Sequence, residues 1–289
     1  MSQPPARADF RFLERLRVRW AEIDAQKIVF NGHYLMYFDT AVAGYWRALA
    51  LPYAQTMEGL AGDLYVRKAT LEYHASALYD DVLDVGTRCE RVGNSSMTLA
   101  AAVFRGETLL VSGQLVYVFA DPRTQTSRPL PDTLRAILAG FEAGESMIDV
   151  RLGAWSEVRD ESMALRHAVF VAEQGIPAGM AGDDADATAL HARAVNRLGL
   201  TLASGRLLAP APGVARIGRM AVLRELRGSG AGRAVLDALL AAARARGDRE
   251  AVLSAQVSAI GFYRRAGFEP SGEPFVEAGI GHREMSLKL

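Results

Sequence analysis

The chain has 289 residues, half of them hydrophobic, with 33 Lys and Arg against 33 Asp and Glu. That length suits two domains with separate cores, and the balanced charge gives no argument for nucleic acid or an anionic membrane surface as partner. The single cysteine, Cys89, excludes an internal disulfide and a cysteine-based metal site, and it fits a reducing compartment.

The N-terminal stretch "MSQPPARADFRFLERLRV" has no apolar segment of signal-peptide type, and no stretch reaches the apolar length of a membrane span. A soluble, cytoplasmic protein is expected. The next run, "RWAEIDAQKIVFNGHY" (19–34), begins like a strand and ends like the start of a helix. Leu35, Phe38, Val42, Tyr45 or Trp46, and Leu49 then recur at helical spacing, with Asn31 in place as N-cap. The Leu51-Pro52 step and the Gly59/Gly62 region end that helix. Four strands are predicted over 64–75, 81–92, 95–105 and 108–121, with a tight hairpin turn at Arg105-Gly106-Glu107. One long helix with an antiparallel meander is an α+β layer. A proline-rich segment follows, then a short amphipathic helix bearing Leu134, Ile137, Leu138 and Phe141. The boundary is expected near Gly144–Met147, giving domains 1–144 and 145–289.

The second half alternates strand and helix. The pattern predicts a strand over 147–153, a helix over 161–174 and a hairpin over 189–210 turning at Leu198-Gly199. A strand over 215–223, a helix over 230–247, a buried strand over 250–255, a helix over 258–267 and two C-terminal strands complete it. This is a mixed α/β domain, and the chain shows no internal repeat.

Two acids, Glu22 and Asp24, lie just before the helix start. An acid there has a local reading, since helix starts favour negative charge. It also has a chemical one. Unpaired N–H groups at a helix start polarise a carbonyl, and an adjacent carboxylate serves as nucleophile or as base on water. Asp24 with the amides around Asn31 and Gly32 is a minimal acyl-transfer site. The stretch "RWAEIDAQKIVFNGHYLMYFD" resembles the hotdog-fold acyl-CoA thioesterases of the 4-hydroxybenzoyl-CoA thioesterase-like type, and the resemblance runs to about Phe141. It implies an antiparallel sheet around a long helix, with Asp24 as the catalytic carboxylate and Asn31 as the amide donor to the thioester carbonyl. It also implies a homodimer or homotetramer formed through this domain. Lys27 stands where many members carry Gly. His33 is a weaker candidate for orienting the acyl group, and Arg67 and Lys68 for meeting CoA phosphates. Tyr73, His74 and Cys89 are read as structural, and Glu22 as a surface or supporting acid.

The run "RGSGAGRAVLDALL" places glycines and a helix start where a backbone can approach a phosphate. It matches neither the P-loop nor the dinucleotide fingerprint. With "RHAVFVAEQGIP", "IGRMAVLRELRGSGAG", "SAIGFYRRAGF" and "EAGIGHREM" in order, residues from about Asp149 to Leu289 resemble the GNAT-type N-acetyltransferases, most closely an ElaA-like branch. The resemblance implies that backbone around Arg227, Gly228, Ser229, Gly230, Ala231 and Gly232 holds the CoA pyrophosphate. It implies that the strand edge Met220-Ala221-Val222 pairs with the pantetheine, and that Tyr263 is the general acid on the departing thiolate. Gln256 stands where many members have Asn. The amine's base is left among Glu173, Asp184, His191 and His282. The expectation is a bifunctional enzyme, an acyl-CoA thioesterase and N-acyltransferase, using acyl-CoA or acetyl-CoA as substrates with no permanently bound cofactor and no metal. The amine acceptor is unspecified, and neither nucleic acid nor a membrane is expected as partner. The alternative is an acyl-CoA-binding or dimerisation protein with one catalytic domain.

Overall fold

The computed structural model describes residues 4–289, so the first three residues of the stretch read for a leader lie outside the described residues. The chain divides into two compact units, Met1–Met147 and Ile148–Leu289. Among the described residues, no helix is long and apolar enough to cross a membrane.

In the first unit, β1 (Phe12–Arg17) precedes α1 (His33–Ala48) and a short α2 (Tyr53–Gly59). Then come β2 (Asp63–Tyr73), β3 (Val82–Val92), β4 (Ser96–Arg105), β5 (Thr108–Ala120) and α3 (Asp132–Glu142). The strands form one antiparallel sheet in the order β1-β3-β4-β5-β2, and α1 packs on it as a hotdog fold. The helix buries Tyr34, Tyr37, Phe38, Ala41, Val42 and Tyr45, a stripe at three- and four-residue spacing. Its central residue Phe38 sits so close above Gly113 of β5 that an added Cβ there would lie 2.8 Å from the ring.

Three local readings of the sequence need correction here. The buried stripe begins at Tyr34, and Leu35 is 42% exposed, because the aromatic residues set the inward face. Asn31 is not the N-cap: His33 N donates to Phe30 O at 2.9 Å, which places Asn31 inside a turn and makes Gly32 the cap, without a side-chain bond. The run from Arg19 does not begin in a strand, since β1 ends at Arg17 and Trp20–Glu22 form a single 3-10 turn. Pro52, read as a terminator, also serves as N-cap of the unforeseen α2. Glu142 of α3 ties the layers together: its Oε1 accepts from Tyr45 of α1 at 2.5 Å and from the Cys89 amide of β3 at 2.8 Å. Burial, then the nearby Glu142 carboxylate, pushes the Cys89 thiol up to about 12 and leaves it unreactive.

The second unit begins with β6 (Ile148–Gly153) and α4 (Trp155–Arg166), which runs into a π-helical segment, His167–Glu173. β7 (Leu190–Asn196), β8 (Thr201–Ala211), β9 (Val214–Val222), α5 (Ala231–Arg246) and β10 (Glu250–Gln256) follow. A short α6 (Ile260–Arg264), β11 (Glu269–Glu277) and β12 (Ile280–Lys288) end the chain. The sheet order is β11-β12-β10-β9-β8-β7-β6, with β9 and β10 the one parallel pair. This is the mixed sheet of a GNAT domain. Gly205 of β8 approaches Val235 and Leu239 of α5, whereas its neighbour Arg206 reaches Asp186, which Arg166 of α4 also holds. Consecutive strand residues point to opposite faces, so α5 and α4 cover the two faces of the sheet.

The parallel pair is short. Val214, Ala215 and Arg216 pair with Glu250, Ala251 and Val252, and beyond them the ladder stops. On the other side of β9 the register slips between Ser204 and Arg206 of β8, and Arg219 takes a positive φ of 51° in that bulge. The β10-facing edge of β9 is thereby left unpaired from Ile217 onward.

Candidate functional sites

In the first unit, the connection between β1 and α1 folds into a tight hairpin. Asp24 N donates to Ile28 O at 2.9 Å, Lys27 N to Asp24 O at 3.0 Å, and Phe30 N to Glu22 O at 2.9 Å. The turn requires φ 65° at Lys27, the left-handed region that costs a side-chain-bearing residue roughly 1–2 kcal/mol. That explains why glycine suits this position. Glu22 is 2% exposed, so it is not a surface acid. It accepts from Tyr37 Oη on α1 at 2.7 Å, from Arg19 N at 2.7 Å and from Arg19 Nε at 2.7 Å. Burial alone would raise its pKa; the bonds from Tyr37 and Arg19 outweigh burial and hold the carboxyl below the usual carboxylate range. Glu22 is therefore a fixed pin between the hairpin and α1.

Asp24 is only partly buried and has capacity to spare. Its Oδ1 accepts from Gln26 N at 2.8 Å, and Oδ2 has no partner among the described residues. A few residues on, the amides of Asn31 and Gly32 also find no acceptor among the described residues, while Tyr73 Oη donates to Asn31 O at 3.2 Å. One hairpin thus carries a free carboxylate oxygen and leads into two free N–H donors at a helix start. Tyr34 Oη accepts from Ala77 N at 2.9 Å and is structural. His33 lies edge-on to Phe30, with ring centroids 5.9 Å apart. Arg67 and Lys68 are exposed on β2, where its register with β5 slips, and His74 Nε2 meets Ser112 Oγ at 2.8 Å.

In the second unit a cavity of about 400 Å³ opens where β9 and β10 part, and Met220, Gln256, Tyr263 and His282 are among its walls. Tyr263 is 7% exposed, and its hydroxyl makes no hydrogen bond among the described residues. Burial pushes its pKa up to about 12, so the phenol carries its proton at neutral pH. Gln256 Nε2 donates to Gln174 Oε1 at 3.0 Å, so a side chain just past the π-helical segment ties to the end of β10 at the cavity wall. From the cavity the chain turns into Arg227–Gly230. Gly228 and Gly230 have φ of 87° and 92°, and a Cβ on Gly232 would lie 2.9 Å from Val222. The amides of Gly228, Gly230 and Gly232 find no acceptor among the described residues at the start of α5. These donors and the positive end of the helix are suited to a phosphate. Ser229 Oγ instead turns inward, 3.4 Å from Ala231 N.

The four candidate bases separate. Glu173 is bound by both Nη atoms of Arg227, at 2.6 and 2.7 Å, and that contact holds its carboxyl below the usual range. Asp184 is exposed. His191 is buried against Asp186 O at 2.9 Å, and burial lowers its pKa. His282 lines the cavity. Its Nδ1 lies 2.8 Å from Ile280 O, which only accepts, so Nδ1 bears a hydrogen, and Nε2 has no hydrogen-bond partner among the described residues. The pairing of Gln256 with His282 across β10 and β12 puts both side chains on one face. Sequence reasoning missed Gln174, Arg206, Arg216 and Arg219 in this cavity wall. The helical pattern around Gln174 was visible, but the strand bulge that turns Arg219 inward has no sequence mark.

An antiparallel sheet packed on one long helix, followed by a mixed sheet that splits between two parallel strands, defines a two-domain CoA-related protein. The thioesterase superfamily matches residues 26–112, and the GNAT acetyltransferase domain matches residues 203–289. A protein of Aquifex aeolicus named as an esterase is 32% identical over 94 residues, 32% of this chain and 73% of that protein. The acyl-CoA thioester hydrolase YbgC of Escherichia coli is 27% identical, covering 44% of this chain and 92% of its own. The uncharacterized N-acetyltransferase YjcF of Bacillus subtilis is 31% identical, covering 43% of this chain and 89% of its own. The chain therefore belongs to the thioesterase superfamily in its first half and to the GNAT acetyltransferases in its second.

The glycine geometry gives a direct expectation. Gly230→Val introduces a branched side chain at φ 92°, where the backbone should lie against a phosphate. Coenzyme A affinity of the second unit, followed by calorimetry, should fall about tenfold or more. Unchanged affinity in a folded variant would remove the phosphate role from this loop.

Proposed function

We propose that the chain is a bifunctional CoA-thioester enzyme: residues 1–144 hydrolyse an acyl-CoA, and residues 145–289 transfer an acetyl or other acyl group from acyl-CoA to an amine. One observation carries the reading. In each half, unpaired backbone N–H donors accompany an acid–base side chain with an unused oxygen, Asp24 Oδ2 in the first and Tyr263 Oη in the second.

In the first domain the Asn31 amide, with Gly32 beside it, polarises the thioester carbonyl and holds the oxyanion. Asp24 either draws a proton from an attacking water or attacks the carbonyl itself. In both cases the C–S bond breaks, the acyl group leaves as a carboxylate after addition of water, and CoA leaves as the thiol. Glu22 positions the loop and takes no proton. In the second domain the pyrophosphate sits on the amides of residues 227–232, and the pantetheine pairs with the free edge at Met220-Ala221-Val222. The neutral amine attacks the thioester carbon. A C–N bond forms, the nitrogen's proton passes to His282 Nε2, and the C–S bond breaks as Tyr263 protonates the thiolate. Gln256, held by Gln174, borders the acyl group.

The partner of the first domain is a second copy of this chain, in a homodimer or homotetramer. The edge strand β2 runs from Asp63 to Tyr73 with Val66 54% and Tyr73 55% exposed, and Leu35 and Met36 of α1 are also exposed. A long edge with its outer side unpaired, and exposed apolar side chains among its charged ones, is suited to pairing. Light scattering should give at least twice the chain mass; a monomer at micromolar concentration would contradict the pairing.

The two chemistries are separable. Asp24→Asn should lower thiol release from acyl-CoA by roughly 10²–10⁴-fold and leave amide formation intact. Tyr263→Phe should do the reverse, lowering single-turnover acyl transfer by up to that factor with acyl-CoA affinity and melting temperature nearly unchanged. Near wild-type hydrolysis in the first variant would remove Asp24 from the chemistry. Equal transfer rates in the second, or a loss matched by unfolding, would return Tyr263 to the core.

A further inference from the structure

An arginine in the cavity wall of the second unit has hydrogen-bonding capacity that its neighbours do not use. Arg166, Arg206 and Arg219 converge on two carboxylates, Asp183 and Asp186. Arg166 holds Asp186 through two bonds of 2.8 and 3.0 Å, and Arg206 Nη1 adds a contact of 2.9 Å. Asp183 is taken by both Nη atoms of Arg206, at 2.5 and 2.7 Å, and by Arg219 Nη2 at 2.7 Å. Asp183 Oδ1 also accepts the Ala185 amide. Beside Asp186, His191 has its pKa lowered by burial. Arg216, on the same wall, is separately balanced by Glu284 at 3.2 Å and bonded to Ser254 at 3.0 Å. Three guanidinium groups therefore share two carboxylates, while Glu277 on the same wall contacts none of them among the described residues.

Arg219 is the least engaged of the three. Among the described contacts it spends one N–H on Asp183, and its side chain keeps 27% exposure toward the cavity. Arg206 is 7% exposed and engaged at both Nη atoms, and the Nε atoms of Arg166, Arg206 and Arg219 are alike buried without a partner. Arg219 also holds φ 51° in the β9 bulge, a conformation that costs a residue of this kind roughly 1–3 kcal/mol and persists where surrounding structure enforces it. The bulge turns a long cationic side chain into the cavity where a regular strand would have continued.

We propose that the acyl acceptor of this site is an amine that also bears an anionic group, a carboxylate or a phosphate, and that Arg219 is the residue that reads the anion. This rests on the transferase reading above. In that reading the CoA phosphates lie at residues 227–232, beyond Met220–Val222, and the part of acetyl-CoA near Arg219 is uncharged. The unspent Nη N–H groups of Arg219 are charged donors of the kind that suits a carboxylate or phosphate oxygen. The amine end of such a molecule then faces His282 and Tyr263 across the same cavity.

The test uses the full chain with saturating acetyl-CoA and measures the amide product by mass spectrometry, so that thioester hydrolysis does not interfere. Matched acceptors are compared: β-alanine against β-alaninamide, and 2-aminoethyl phosphate against ethanolamine. The anionic member of at least one pair should show kcat/KM higher by roughly 10–100-fold. The pair that shows it distinguishes carboxylate from phosphate. Arg219→Gln should erase the ratio through the acceptor KM, and Arg219→Lys should keep part of it. Arg219→Gly removes the guanidinium and relieves the positive φ, so it separates loss of recognition from loss of fold. Equal or better use of the neutral amines by the wild type would overturn the proposal. So would a ratio that survives in Arg219→Gly, or an effect of Arg219→Gln confined to the KM for succinyl-CoA, which would assign the arginine to an anionic acyl group. Formation of no amide from any amine contradicts the transferase reading itself, and this proposal falls with it.

Discussion

A backbone N–H group without an acceptor is a liability inside a protein and an asset where a ligand reaches it. Both halves of this chain leave such groups open, and by different means. In the first, α1 starts from a turn whose cap residue, Gly32, has no side chain to close the helix end. In the second, β9 parts from its parallel neighbour after three residue pairs, and α5 begins from two glycines in the left-handed region. Each arrangement holds donors at fixed places without spending a side chain. The side chains nearby are then available for proton transfer.

Holding donors open requires strain, and the strain has to be outweighed. Lys27 at φ 65° and Arg219 at φ 51° each cost on the order of 1–3 kcal/mol. The anchors are larger. Glu22 joins the hairpin to Tyr37 on α1 with a buried, charge-assisted bond. In the second unit, Arg166 is fully buried on Asp186, and stripping one partner from such a pair costs roughly 3–5 kcal/mol. Burial alone would raise the Asp186 pKa, yet Arg166 and Arg206 bring it down to about 2, so the pair stays charged across the physiological range. The strained residues persist because fixed ion pairs next to them leave no cheaper arrangement.

Much of this fold is legible in the chain. The strands of the first sheet announce themselves through β-branched and apolar runs between turn residues, and α1 and α5 through their apolar spacing. The errors have a common cause: they arise where one residue type serves two roles. Pro52 ends one helix and begins another. Tyr34, not Leu35, faces inward, because tyrosines with partners for their hydroxyls are accepted in this core. Glu22 looks like a surface acid until Tyr37 and Arg19 are seen around it. The glycine spacing of the phosphate loop is visible in sequence because glycine is the one residue whose identity reports its backbone. Arg219 carries no such mark. Its importance comes from a register slip between β8 and β9 and from contacts across segments far apart in the chain.

The claim at the centre is that one chain carries two separate CoA-thioester sites. A non-hydrolysable acyl-CoA thioether, followed by equilibrium dialysis against the full chain, tests it without relying on turnover or on the amine. Two sites require close to two molecules bound per chain at saturation, one of them competed by coenzyme A more weakly than the other or with a distinct affinity. A saturating value of one per chain, with a single affinity, would contradict the claim and leave one of the two folds as a scaffold.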